Sequence, residues 1–506
     1  MGFEALVHGF TLVFEPYNIF LILCGVLIGV IVGALPGLSS PMAVALLLPF
    51  TVGLEPIPAI SMLAALYCAG TFGGSITAIL INAPGAPPAV ATAFDGYPMA
   101  KNGEAGRALG MAAVSSVIGG VFSLLVFLVA TPLLAKVALQ FRPAEYFALA
   151  IFALSMLASI SGKSSIRNLI SGAIGVLIGT AGIHLTTGVE RFTFGIPEIS
   201  DGIHFVPVLI GLFAIGELLS QSQTLNVTLE RISSVVIKLP SREDFNKVKW
   251  TILRSCGIGT FIGILPAEGS TIAAIMGYNE AKRFSKEPEK FGKGAIEGIA
   301  GPEAANNAAA GGAMVPTLAL GIPGSGTTAV ILAAFIMHGL RPGPHLLNET
   351  PQFVYAIFFA MLIANLMFFA IGLGGAKIFS RITLIPRTLL WPSVVVFSIV
   401  GAYSFSSSVF DVWVMLIAGI VGFVMNRHGF GPAPLVMGLI LGKLVEESLS
   451  QSMILFDNNW LRLFESPIVV MFFVLTFLGL FWSVIIRAAV KLIARVRPDV
   501  PLGRGD

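Results

Sequence analysis

The first hundred residues contain no lysine or arginine, although the 506-residue chain holds thirty. Over that stretch apolar runs follow one another, broken only by proline, glycine, small polar residues and a few acids. Folded in water, such a segment would expose a surface with almost no charge. A soluble domain carries about a quarter of its residues charged; here the share is 11%, with 56% hydrophobic residues and a mean hydropathy of +0.90. That balance excludes a soluble multidomain enzyme and a disordered or fibrous chain. The 56 glycines and 30 prolines suit helices in lipid, where both residues are more frequent than in water. A span needs about 20 apolar residues, so the reading is an all-α polytopic membrane protein with about eleven or twelve spans.

Other classes fall away. No basic stripe marks a nucleic-acid surface. Cys24, Cys68 and Cys256 sit in apolar runs without metal-ligand spacing and read as small buried hydrophobes. The six histidines show no paired spacing. No phosphate-binding loop of the GxxxxGK[ST] type and no nucleophile elbow occurs, so neither ATP hydrolysis nor serine chemistry is expected, and no cofactor. Residues 1–16 lack a basic residue, so no cleaved leader is expected.

The chain reads as two copies of one plan. Residues 1–221 form a first repeat, with a hairpin at 18–54, a broken helix at 57–99 and regular spans to 220. A basic linker covers 222–250. The second repeat, 251–453, has a hairpin at 251–282, a broken helix at 294–340 and spans to 446. Residues 454–506 add one further span and a basic tail. Ordered anchors align the copies: Leu35-Pro36 with Leu265-Pro266, Gly73-Gly74 with Gly311-Gly312, Pro84-Gly85 with Pro323-Gly324, and Ser220-Gln221-Ser222 with Ser450-Gln451-Ser452. Charge orients them, because short cytoplasmic loops collect Lys and Arg. With one hairpin entering from each side, 24 of the 30 basic residues fall inside, the N-terminus outside and the C-terminus inside. Each half then crosses an odd number of times, which makes the repeats inverted, as in secondary transporters.

Backbone groups freed at a helix break survive at membrane depth only inside protein or against a wet cavity. Four Pro/Gly breaks therefore mark the candidate binding site: Leu35–Ser40, Asn82–Pro88, Leu265–Thr271 and Gly321–Thr327. Free N–H groups at helix starts favour an anion. The substrate-binding candidates are Pro36, Gly37, Ser39, Ser40, Asn82, Pro84, Gly85, Gly269, Ser270, Thr271, Pro323, Gly324 and Ser325, with Asn306 and Asn307; Thr327 adds a hydroxyl beside the last break. The sole basic residue deep in a span is Lys443, so amides and hydroxyls must do most of the recognition, which suits a carboxylate. Ionisable residues at this depth are functional candidates: Glu303 and Glu268 are the ion-coupling candidates, for a proton or Na⁺. Asp95, in Phe94-Asp95-Gly96-Tyr97-Pro98, reads as a turn or capping residue.

Together, Gly33-Ala34-Leu35-Pro36-Gly37-Leu38, Gly70-Thr71-Phe72-Gly73-Gly74-Ser75, Asn82-Ala83-Pro84-Gly85, Pro302-Glu303-Ala304-Ala305-Asn306-Asn307 and Leu320-Gly321-Ile322-Pro323-Gly324 resemble the TctA family. This is the large membrane subunit of tripartite tricarboxylate transporters. The resemblance implies a bacterial inner-membrane permease working with a small membrane subunit of about four spans and a periplasmic solute-binding protein. It implies uptake of a tricarboxylate or dicarboxylate on an ion gradient, by elevator-like movement. An anion channel and a carboxylate exporter are the competing readings.

Overall fold

The computed structural model describes residues 3–35, 37–156, 165–184, 187–222, 237–266, 269–375 and 387–496. The first half contains α1 (Phe3–Val13), α2 (Pro16–Gly33), α3 (Ser40–Leu47), α4 (Pro56–Ile81), α5 (Ala89–Met99), α6 (Ala105–Ala138), α7 (Pro143–Met156), α8 (Ser165–Gly179) and α9 (Phe205–Gln221). The second contains α10 (Arg242–Ile264), α11 (Gly269–Phe284), α12 (Glu297–Leu320), α13 (Gly326–Met337), α14 (Pro344–Glu349), α15 (Pro351–Gly374), α16 (Arg387–Ser406), α17 (Val409–Arg427), α18 (Pro432–Leu455) and α19 (Pro467–Val496). Strand structure among the described residues is confined to one antiparallel hairpin, β1 (Gly182–Ile183) with β2 (Glu190–Arg191).

Five stretches are long and apolar enough to cross a membrane, namely Pro16–Gly33, Pro56–Ile81, Ala89–Ala138, Pro351–Gly374 and Val409–Arg427, and shorter apolar helices accompany them. The chain is a multi-pass, all-α membrane protein. Proline opens α2, α4, α7, α15, α18 and α19, where its fixed φ suits the first turn and its missing N–H has no partner to lose. Helix α1 was not expected from the sequence. Its Gly9 lies against Tyr355 and Ala356 of α15, and Phe10 meets Phe359 edge to face at 5.2 Å.

Helices α4 and α12 form the centre. The apolar window of α4 is 100% buried, whereas that of α17 is 28% buried, so α17 belongs to the rim. Water cannot drive helices together inside lipid, so close approach of small residues does. Gly25, Gly29 and Gly33 of α2 meet Met62, Leu66 and Gly70 of α4. Gly259 and Gly263 of α10 meet Ala305 and Ala309 of α12. Both pairs run parallel, since the contacts climb four residues together. The rim holds two more parallel pairs. Gly172 and Val176 of α8 meet Gly438 and Gly442 of α18, and Gly211 and Ile215 of α9 meet Met415 and Gly419 of α17.

The two central helices stop in the same way. Asn82 and Gly321 take left-handed φ values of 51° and 71°, a conformation open at low cost mainly to Gly and Asn. The following amides, of Ala83 and Ile322, turn back to the Thr77 and Pro316 carbonyls at 3.3 Å each. The Gly85 N–H then bonds the Gly74 carbonyl at 3.3 Å, and the Gly324 N–H the Thr317 hydroxyl at 3.2 Å. Each chain thus folds back beside its own helix before α5 or α13 begins. The freed amides face protein, as the lipid environment demands.

Candidate functional site

A cavity of about 510 Å³ lies where these interruptions meet. Its wall takes Gly37, Ser39, Ser40 and Pro41 from the start of α3, and Pro84–Pro88 from the loop before α5. Ser270 and Thr271 come from the first turn of α11, and Ser325, Gly326 and Thr327 from the start of α13. Helices of both halves therefore point their N-terminal ends into one space. Ser39 caps α3 by accepting the Met42 N–H at 3.4 Å. Ser325 and Thr328 form a reciprocal capping box on α13, with bonds of 3.2 and 2.8 Å. The remaining wall includes Tyr67 and Thr71 of α4, Phe213 and Glu217 of α9, Asn426 and Pro432. Tyr67 reaches Ser325 with a hydroxyl–hydroxyl distance of 3.4 Å. No lysine or arginine lines the cavity among the described residues.

Of the residues singled out from the sequence, Gly37, Ser39, Ser40, Pro84, Gly85, Ser270, Thr271, Ser325 and Thr327 come together here. Pro36 and Glu268 lie outside the described residues. Asn82, Gly269, Pro323 and Gly324 do not line the wall. Asn82 is the exposed end of α4, Gly269 packs on Gly263, and Gly324 packs on Ala313. Lys443 is exposed on α18, with its ammonium near Gly202.

Glu303, Asn306 and Asn307 stand apart, inside the protein on α12. Glu303 is fully buried and accepts three hydroxyl hydrogen bonds from the first half: Ser75 of α4 at 2.5 Å, Thr92 of α5, and Ser116 of α6 at 2.8 Å. A buried carboxyl is tolerable only with such partners. Asn307 donates to the Glu303 carbonyl at 3.1 Å, and both amide atoms of Asn306 are buried without a hydrogen-bond partner.

Asp95 does cap, but not its own helix. Its Oδ1 accepts the N–H groups of Gly292, Gly294 and Ala295, each at 2.8 Å, just before α12 begins. Its Oδ2 accepts the Tyr278 hydroxyl at 2.9 Å. The first interrupted helix is thereby tied to the second hairpin and to the entry of α12. In the same loop Lys290 and Lys247 hold the Glu287 carboxyl down to about 2. That pairing is open to solvent and contributes little to stability.

Tyr67, Thr71 and Glu217 are wall residues that motif reading missed. Glu217 had a signal: the Ser-Gln-Ser match extends backward to Glu217-Leu218-Leu219-Ser220-Gln221-Ser222 and Glu447-Ser448-Leu449-Ser450-Gln451-Ser452. Tyr67 carries no local pattern, and Thr71 lies inside the Gly70–Ser75 motif without being singled out as a site residue.

The tripartite tricarboxylate transporter TctA family matches residues 19–437, a span containing both interrupted helices and every residue of the cavity wall. The chain belongs to the TctA family. It is thus a subunit of a tripartite transporter, which works with partner subunits. An uncharacterised 52.8 kDa protein of the TAR-I ttuC′ 3′ region of Agrobacterium vitis is 40% identical to this TctA protein over 463 residues, covering 91% of this chain and 92% of the relative. A second Agrobacterium vitis protein, of the TAR-II ttuC′ 3′ region, is 40% identical over 210 residues, covering 42% of this chain and 87% of its own length. No solved structure matches the chain.

Proposed function

We propose that this TctA protein is the permease of a binding-protein-dependent secondary transporter. It takes up a small organic tricarboxylate or dicarboxylate across the bacterial inner membrane on an H⁺ or Na⁺ gradient. The observation that carries this reading is the cavity, which gathers helix N-termini and serine and threonine hydroxyls from both halves with no lysine or arginine in its described wall. Amide dipoles and hydroxyls hold a carboxylate firmly enough to select it and loosely enough to release it. Ser39, Ser40, Ser270, Thr271, Ser325 and the backbone around Gly37 and Gly85 are its proposed contacts. Pro36, Asn82, Gly269, Pro323 and Gly324 shape the breaks, and Asn306 and Asn307 set the central helix behind them. Glu303 is the proposed coupling carboxyl within the core, with Glu268 at the second hairpin tip as the other candidate. The cargo arrives from a periplasmic solute-binding protein, and a small membrane subunit of about four spans completes the assembly.

The parallel pairs support inverted repeats. Consecutive spans cross in opposite directions, so α8 opposes α9. With α18 parallel to α8, α18 opposes α9, which holds the same place in the first half. On this reading the N-terminus is periplasmic and the C-terminus cytoplasmic, and the hairpins with the interrupted helices move as an elevator against the other spans. A cysteine-accessibility map should place residues 222–250 in the cytoplasm; finding them outside would reverse the orientation. The decisive experiment is labelled citrate and succinate uptake into vesicles holding the complete transporter, with Na⁺ and pH gradients imposed separately. Accumulation above the external concentration is expected under one gradient. Simple equilibration would identify a channel, and efflux alone an exporter.

A further inference from the structure

The cavity proposed to take a carboxylate already contains one. Glu217, on the last two turns of α9, is the only described acidic side chain in its wall. An ionised cargo carboxylate beside an ionised Glu217 meets like-charge repulsion unless a cation enters with it. We infer that Glu217 takes up a proton when the cargo binds, which makes binding itself proton-linked at this residue. The inference rests on the carboxylate reading above and adds a residue and an ion to it.

Geometry favours a proton over a metal cation. The Gln221 side-chain N–H donates to Glu217 Oε1 at 3.1 Å, placing a positive dipole end against that oxygen. Na⁺ needs several oxygens around it, and on the Oε1 side of Glu217 that amide takes the place of one. A proton needs only the carboxyl. The same Gln221 amide also bonds the Gly37 carbonyl, at the tip of the first hairpin. One amide therefore links the titrating group to a wall element made of a hairpin end, so neutralising Glu217 changes the electrostatic hold on that tip.

The neighbouring groups do not take over this role. Around α9, the titratable or charged residues are Asp411 and Arg427 on α17, Arg387 and Tyr403 on α16, and Lys443, Glu446 and Glu447 on α18. Helices α3 and α13 carry none. Asp411 is engaged by His204 at 3.1 Å and by Ser406, and Glu446 by Arg191. Across the cavity, Tyr67 of α4 is the other described titratable side chain of the wall, and a phenol is neutral over the working range.

The test measures protons directly. Full-length protein in nanodiscs is titrated with citrate near pH 8, where citrate is fully ionised, in buffers of different ionisation enthalpy. Wild type should take up about one proton per citrate and lose about tenfold in affinity per pH unit on the alkaline side. Glu217→Gln should bind citrate with no proton uptake and a flat pH dependence. Glu217→Asp keeps a carboxyl and should keep proton uptake; it covers the case in which Glu217→Gln does not fold. Tyr67→Phe should keep the proton stoichiometry, whatever it does to affinity. Citrate binding by wild type without proton uptake, proton uptake retained by Glu217→Gln, proton uptake lost in Glu217→Asp or Tyr67→Phe, or binding that requires Na⁺ and moves no proton would each overturn the assignment. Failure of wild type to bind citrate, tricarballylate or succinate at all would instead overturn the carboxylate reading beneath it.

Discussion

The two central helices end alike and are filled differently. Both stop at a left-handed residue, return two amides to one carbonyl and fold back at a Pro-Gly pair. Yet α4 runs from Pro56 to Ile81 without an ionisable group beyond Tyr67 and Cys68, whereas α12 carries Glu303, Asn306 and Asn307 in its interior. Aligned on Gly73-Gly74 and Gly311-Gly312, Glu303 corresponds to Ala65 and Asn307 to Ala69. The Ser-Gln-Ser ends repeat the lesson. Gln221 is half-buried and bonded to the hairpin backbone at Gly37, while Gln451 is exposed. The backbone device that opens a helix occurs in both halves; the side-chain chemistry sits in one half at each level. A backbone break depends on the φ of one residue, but a buried carboxyl needs three donors supplied by other elements.

The largest effect expected is from Glu303→Ala, which strands the Ser75, Thr92 and Ser116 hydroxyls in a new void. Uptake should vanish and stability fall by about 3 kcal/mol, read from a melt in detergent. Ala65→Ser, at the matching place in α4, should shift the melt far less; equal losses would remove the asymmetry. Asn307→Ala should abolish uptake while the protein still inserts. Normal transport by that variant would take Asn307 out of the mechanism. Next, Gln221→Ala should weaken citrate binding about tenfold, the equivalent of about 1.4 kcal/mol, and Gln451→Ala should change it less than twofold. Similar effects at the two positions would show that the ends are used alike. The smallest change is expected for Ser325→Ala, which removes one cap from α13 and should cost about 1 kcal/mol, with a modest rise in the citrate dissociation constant.

Much was legible in the sequence because its causes are local or compositional. Sparse charge demands lipid around the helices, proline marks where helices begin, and Pro-Gly pairs mark where they break. Those rules put breaks at Asn82–Pro88 and Gly321–Thr327, where α4 and α12 end, and named the hydroxyls at the starts of α3, α11 and α13. Tertiary structure alone decided which of those starts share a space. It put Ser39, Ser270 and Ser325 around one cavity, left Asn82 and Gly324 off its wall, and brought in Tyr67 and Glu217. It also made Asp95 a cap for the entry to α12, some 200 residues along the chain. The physical reason is range. A helix end is determined by its own few residues, whereas the neighbours of a buried Glu303 or a cavity-facing Glu217 depend on how distant glycine and alanine faces let the helices approach.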